Sequence, residues 1–243
     1  MGKMGHGYGS EFHLLRYLGY HRAELNRQVE KETGGRVLEW LDFGFDLARK
    51  PAESDLELKG LEFLGQSGPL IDTWKDFWPQ TGNVQNWDAV GLLQSGSHAE
   101  YLLVEAKGHV KELKNDCKAE EHGGLPKIMA AFEETIMAMR SDKAVDNWLS
   151  PYYQYANRLA ALHFLLQHSI PARLVFIYFL GDQWPNGTDS KGRAVNCPKT
   201  QQEWERLLKD EVDSHLGIKQ KSELEQRVHR LFLNVGGRPG QEA

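Results

Sequence analysis

The chain predicts an α/β fold in which a mixed central β-sheet is flanked by helices. Three observations lead there. Residues 86–109 read as two short apolar strands, rich in Val, Leu and Tyr, broken by the polar turn Gln94-Ser95-Gly96-Ser97-His98. Residues 172–180, Ala-Arg-Leu-Val-Phe-Ile-Tyr-Phe-Leu, form the most apolar strand of the chain, as suits a strand buried on both faces. The mostly apolar stretch 152–168 reads as a helix before it, so strand, helix and strand make the crossover that a parallel pair requires.

In chain order, residues 1–9 are Gly-rich and polar and are expected to fray. Ser10 reads as the N-cap of a long helix to about residue 32, with Leu14, Leu18, Leu25 and Val29 as its apolar stripe. Glu11 shares a face with Leu15 and Leu18 and is expected to point inward. A water-facing Glu that favours the helix dipole is the competing reading. Gly34-Gly35 stops that helix, and residues 36–43 read as a strand. Residues 44–60 read as loop or short helix, and 61–64 as a short strand. Trp74, Phe77 and Trp78 form an aromatic knot that reads as packing rather than as a base-stacking platform.

Residues 109–114 read as the start of a helix, 118–125 as a loop, and 126–140 as an Ala/Met-rich helix with Ile128, Phe132, Ile136 and Met139 on one side. Ser150-Pro151 reads as N-cap and first position of the helix 152–168. Gln154, Asn157 and Arg158 fall on one face of its first turns. A solvated face is the plain reading of those three. The segment 181–198 is a long loop carrying Lys191 and Arg193, with Lys199 just beyond. It suits either a plain surface loop or one that holds a nucleic-acid backbone. Two peripheral helices, the second over 222–231, are expected to pack on a single-domain core spanning about 10–182.

Chemistry concentrates in the hairpin. With the turn centred on Gly96 and Ser97, Asp88 falls opposite Glu105. Directly opposed residues have Cβ atoms about 4.5–5.5 Å apart, and like charges there repel. Two carboxylates would need a cation between them. The period of two puts Glu105, Lys107 and His109 on one face and Leu102, Val104 and Ala106 on the other. His109 joins that face only if the strand runs through Gly108. The pattern looks like a metal site on a buried sheet, against the alternative of a solvated strand with Glu and Lys paired across it.

Asp88, followed seventeen residues on by Glu105-Ala106-Lys107, resembles the signature of the PD-(D/E)xK (restriction-endonuclease-like) nuclease superfamily. The resemblance covers about residues 10–182, with Trp87 standing where the proline of the signature would be. It implies a restriction-endonuclease-like core and Mg²⁺ (or Mn²⁺) held by Asp88 and Glu105. Lys107 would position the attacking water, and Glu11 would join the metal shell. Gln154, Asn157 and Arg158, with His109, would meet substrate. Arg158 stands where some exonuclease branches place the Tyr of a Gln-xxx-Tyr motif. The implied activity is hydrolysis of nucleic-acid phosphodiesters, DNA foremost. Magnesium takes oxygen ligands and keeps waters, so one or two carboxylates plus a substrate phosphate suffice. A nearby lysine can neutralise charge on the phosphate or hold the nucleophile. The rivals are a non-catalytic nucleic-acid or protein-binding module on the same fold, and an enzyme acting on small phosphorylated or nucleotide substrates.

Bulk properties bound these readings. With 243 residues, 40% hydrophobic and 26% charged, the chain can bury a sizeable core. A formal net charge of -5 argues against a broadly basic nucleic-acid binder, but leaves room for local basic groups. Cys117 and Cys197 have no ligand spacing, which argues against zinc held by cysteine and points to a reducing compartment. No apolar run approaches the ~18 residues of a membrane helix and no signal peptide is seen, so a cytoplasmic protein is expected.

Overall fold

The structure, a computed structural model, describes residues 7–41, 57–65, 67–82, 84–184, 187–189, 191–219 and 222–235. The stripe Leu14, Leu18, Leu25 and Val29 is buried, but it lies on two helices, α1 (Ser10–Tyr20) and α2 (Arg22–Thr33). The break falls at His21, where the backbone leaves helical geometry. Arg22 turns its Nε back onto the Leu18 carbonyl at 2.7 Å. Gly34 adopts the left-handed conformation that ends α2, and β1 (Arg36–Trp40) follows. The end of the expected strand 36–43 and most of the expected loop 44–60 lie outside the described residues.

A two-stranded ribbon of β2 (Leu58–Lys59) and β3 (Asn86–Trp87) comes next. The strand expected over 61–64 is a 3-10 turn, Glu62–Leu64. Inside the ribbon's loop, α3 (Pro69–Phe77) carries the aromatic knot inward. Trp74 and Trp78 are buried with their rings stacked 6.3 Å apart, as the packing reading expects.

The hairpin forms as β4 (Ala89–Ser95) and β5 (His98–Lys107), with Ser95 facing His98 across a two-residue turn. Gly96 sits there at φ +60°, a conformation that favours glycine in such tight turns. A short 3-10 stretch, Val110–Leu113, replaces the helix expected after β5. Three helices then form the crossover: α4 (Leu125–Met139), α5 (Val145–Leu149) and α6 (Tyr153–Gln167). They deliver β6 (Ala172–Leu180), which pairs parallel to β5.

After α7 (Gln201–Leu207), capped by the Thr200 hydroxyl, the chain runs on through a π-helical stretch, Leu208–Asp213. The helix expected over 222–231 does not form. Ser222 Oγ accepts the Glu225 N–H at 3.0 Å, as a helix cap would, but one 3-10 turn follows. The chain then enters β7 (Val228–Asn234), parallel to β6. Strand pairing there satisfies the outer edge of β6 and buries Leu231 and Leu233, two residues apart. The sheet is therefore mixed and five-stranded, in the order β1-β4-β5-β6-β7. Its last strand lies beyond the core expected to end near residue 182.

The period of two divides the strands between two cores. Ala89, Leu93, Leu102, Val104, Ala106, Val175, Ile177 and Phe179 pack with residues of α1 and α2. Val90, Leu103, Leu174, Phe176 and Tyr178 pack with α3, α4 and α6. Tyr155 of α6 stacks on Phe176 of β6, the rings nearly parallel and 4.1 Å apart. Glu105 and Lys107 follow Leu103 in step, so both side chains emerge beneath α6. Among the described residues no helix is long and apolar enough to cross a membrane.

Candidate active site

Asp88 stands one step beyond the Ala89–Val104 pair, at the open end of the hairpin. Its N–H donates to the Val104 carbonyl at 3.1 Å, and its Oδ2 accepts the Ala106 N–H at 2.6 Å. The register therefore places Asp88 beside Glu105, as the position of the turn predicts. Glu105 is 1% exposed. One carboxylate oxygen pairs with Lys107 Nζ; the other takes Arg158 Nε at 2.8 Å and Arg158 Nη2 at 2.7 Å.

Helix α6 supplies the rest. Arg158 also donates to Asn157 Oδ1 at 2.8 Å and to the Asn86 carbonyl, and its guanidinium lies 4.9 Å over the Trp87 ring. Lys107 Nζ donates to Gln154 Oε1 at 2.8 Å. The start of α6 differs from the expected cap. The Ser150-Pro151 bond is cis, Ser150 Oγ donates to Asp116 Oδ1 at 2.6 Å, and the helix begins at Tyr153. Asn115 accepts the Gln154 N–H in its place and thereby fixes the turn that carries Gln154 to Lys107.

Their surroundings shift the two carboxyls in opposite directions. Burial, reinforced by the charge on Glu105, pushes Asp88 up to about 8. Burial alone would raise Glu105 as well, but Arg158 and Lys107 outweigh it and hold Glu105 below the usual range. The cation demanded by two adjacent carboxylates is thus supplied on the Glu105 side by protein side chains. Among the described residues Asp88 has no comparable ion pair.

A cleft of about 850 Å³ opens over this group. Asp88, Gln154, Asn157 and Arg158 line it, together with Lys114, Lys118, Lys191 and Arg193. Its walls carry the cations Lys114, Lys118, Arg158, Lys191 and Arg193 and the acids Glu57, Asp88 and Asp116; Arg158, Lys114 and Arg193 are paired with Glu105, Glu211 and Asp189 just behind the wall.

Four expectations change. Glu11 does not point inward. It is exposed in the first turn of α1, where a carboxylate favours the helix dipole, and lines a separate recess of about 660 Å³. His109 lines the same recess, because β5 ends at Lys107. Gly108 turns the chain there; a β-carbon on it would lie 2.7 Å from Asp182 Oδ2. His109 is buried with its Nε2 3.2 Å from Glu112 and its ring edge-on to Trp184 at 4.7 Å. Burial lowers its pKa. Arg158 and Asn157 border the cleft, but they are buried and bonded to each other, and Arg158 is committed to Glu105 rather than open to substrate. They are not a solvated helix face.

Sequence reasoning missed Asn115, whose 39-residue separation from Gln154 leaves no local signal, and the lysines Lys114 and Lys118. Among the described residues no group of three or more His, Cys, Asp or Glu side chains could hold a metal ion, so the candidate donor set is Asp88 with Glu105 alone. Compared with known proteins, the chain matches no family model, no curated protein and no solved structure.

Proposed function

We propose that the chain is a metal-dependent nuclease that hydrolyses phosphodiester bonds of nucleic acid, DNA foremost, on a restriction-endonuclease-like core. One observation carries this reading: Asp88, Glu105 and Lys107 gather at the end of a buried hairpin, beneath a cleft whose rim presents lysine and arginine side chains.

The residues fit Mg²⁺ or Mn²⁺. Two hard oxygen donors lie side by side, and a cation near Asp88 would return that raised carboxyl to its charged form. Asp88 and Glu105 would hold the ion, which when bound polarises a phosphoryl oxygen and lowers the pKa of a coordinated water. Lys107, paired with Glu105 at the same site, would meet the phosphate or the attacking water. Gln154, fixed by Asn115, would hold the Lys107 ammonium in position. Arg158 retains Glu105 in its rotamer from the opposite side.

A second reading, a non-catalytic module that binds nucleic acid or protein, draws on the pairing of both Glu105 oxygens within the protein. The deciding experiment is hydrolysis of mixed DNA and RNA substrates in Mg²⁺ or Mn²⁺. The nuclease reading expects product from the wild type and none from Lys107→Ala or Asp88→Asn. No product, together with no metal-induced rise in Tm, would leave the binding module. Cleavage of small phosphoesters alone would point to a small-molecule enzyme.

A further inference from the structure

The loop after β6 brings Lys191 and Arg193 to the wall of the cleft. One carboxylate organises it. Asp189 Oδ2 accepts from Arg193 Nε at 2.9 Å, Arg193 Nη2 at 2.8 Å and Lys111 Nζ at 2.9 Å. Its Oδ1 accepts the backbone N–H of Lys191 at 2.9 Å and of Arg193 at 3.0 Å. Two main-chain bonds, Asp189 N to the Arg193 carbonyl and Gly192 N to the Asp189 carbonyl, close the turn around it.

The Asp189 side chain is 2% exposed, whereas that of Arg193 is 63% exposed. The acid is enclosed and its cations remain on the surface. Lys111 ties the turn to the segment leaving β5, four residues after Lys107. The lysine and arginine beside it hold the Asp189 carboxyl well below the usual carboxylate range, so it stays charged throughout the working pH range.

We infer that Asp189 is a positioning residue that makes this loop a phosphate clamp, holding Lys191 and Arg193 over the cleft to grip the backbone of a nucleic-acid strand. The inference rests on the nucleic-acid reading above and adds to it where the strand is held. Cations placed this way contact phosphates without reading bases, so the grip is indifferent to sequence and sensitive to salt.

The test is fluorescence anisotropy of labelled single-stranded and duplex oligonucleotides in EDTA, which keeps them intact, across about 50–200 mM salt. Lys191→Ala/Arg193→Ala should weaken binding about tenfold and make the salt slope shallower by about 1.8 on duplex and about 1.4 on single strands, as expected for two lost phosphate contacts. Asp189→Asn gives the sharper result. Removing an acid from a surface that binds polyanions strengthens binding if net charge alone counts, whereas the clamp requires it to weaken. Added to the double variant, Asp189→Asn should cause no further loss, and Asp189→Glu should restore part of the affinity.

Wild-type affinity and slope in Asp189→Asn, with its Tm intact, would overturn the clamp while leaving the nuclease reading in place. If Asp189→Asn fails to fold, the double variant decides, since both its side chains are exposed: an unchanged slope overturns the clamp. A wild type that neither binds nor cleaves any oligonucleotide removes both.

Discussion

Arg158 reaches Glu105 from the second turn of α6, with Nε and Nη2 2.8 and 2.7 Å from the same carboxylate oxygen, and both side chains are almost wholly enclosed. Breaking a buried pair from one side leaves an uncompensated charge, which costs about 3–5 kcal/mol. Arg158→Ala should lose that much stability in urea unfolding. Arg158→Lys should recover only part, because an ammonium cannot reproduce the guanidinium's bonds to Glu105, Asn157 and the Asn86 carbonyl together. A loss below about 1 kcal/mol, the range of exposed pairs, would mean that water reaches the pair.

Asp88 makes stability depend on pH in an uncommon direction for an acid. It titrates near 8 in the fold, through burial and the neighbouring Glu105, and near 3.9 when unfolded. Between those values the folded chain holds a proton that the unfolded chain has released, so this contribution falls as pH rises from about 4 to about 8. The effect is a few kcal/mol at most, on the order of the linkage limit reduced by water in the cleft. Glu105 acts in the opposite sense: its depressed pKa gives stability that is present above about 4.3 and lost as pH falls. In EDTA, Tm measured from pH 5 to pH 8 should decline less in Asp88→Asn than in the wild type. Parallel curves would show that Asp88 is already ionised at neutral pH.

Glu11, expected at the metal from the sequence, is exposed and lines the recess beside His109 and Trp184. Glu11→Gln should leave hydrolysis unchanged and shift stability by no more than about 0.5 kcal/mol, as for an ordinary surface site. A loss of activity comparable to that of Asp88→Asn would place Glu11 back in the metal shell.

The parts legible in the sequence are those fixed by short-range pattern. The turn at Gly96 and Ser97 sets the register of Asp88 against Glu105, and period two assigns Glu105 and Lys107 to the face opposite Val104 and Ala106. The apolar run 172–180 gives β6 to the residue. The misreadings have a common physical origin, in local signals overruled by distant partners. Ser222 caps a single turn because the open edge of β6 recruits the next residues as β7. Ser150 resembles a cap, yet its hydroxyl bonds Asp116 and the role passes to Asn115. Arg158 resembles a surface cation until the fold closes Glu105 over it, and no periodicity encodes that pairing across 53 residues.

The most direct measurement is titration of Mn²⁺ into the wild type and into Asp88→Asn, followed by calorimetry and by the Mn²⁺ spin signal. If Asp88 and Glu105 share a divalent ion, the wild type binds Mn²⁺ at a site that Mg²⁺ displaces, and Asp88→Asn loses it while keeping its fold. Absence of binding in the wild type, or equal binding in both, would contradict a metal site at the end of the hairpin.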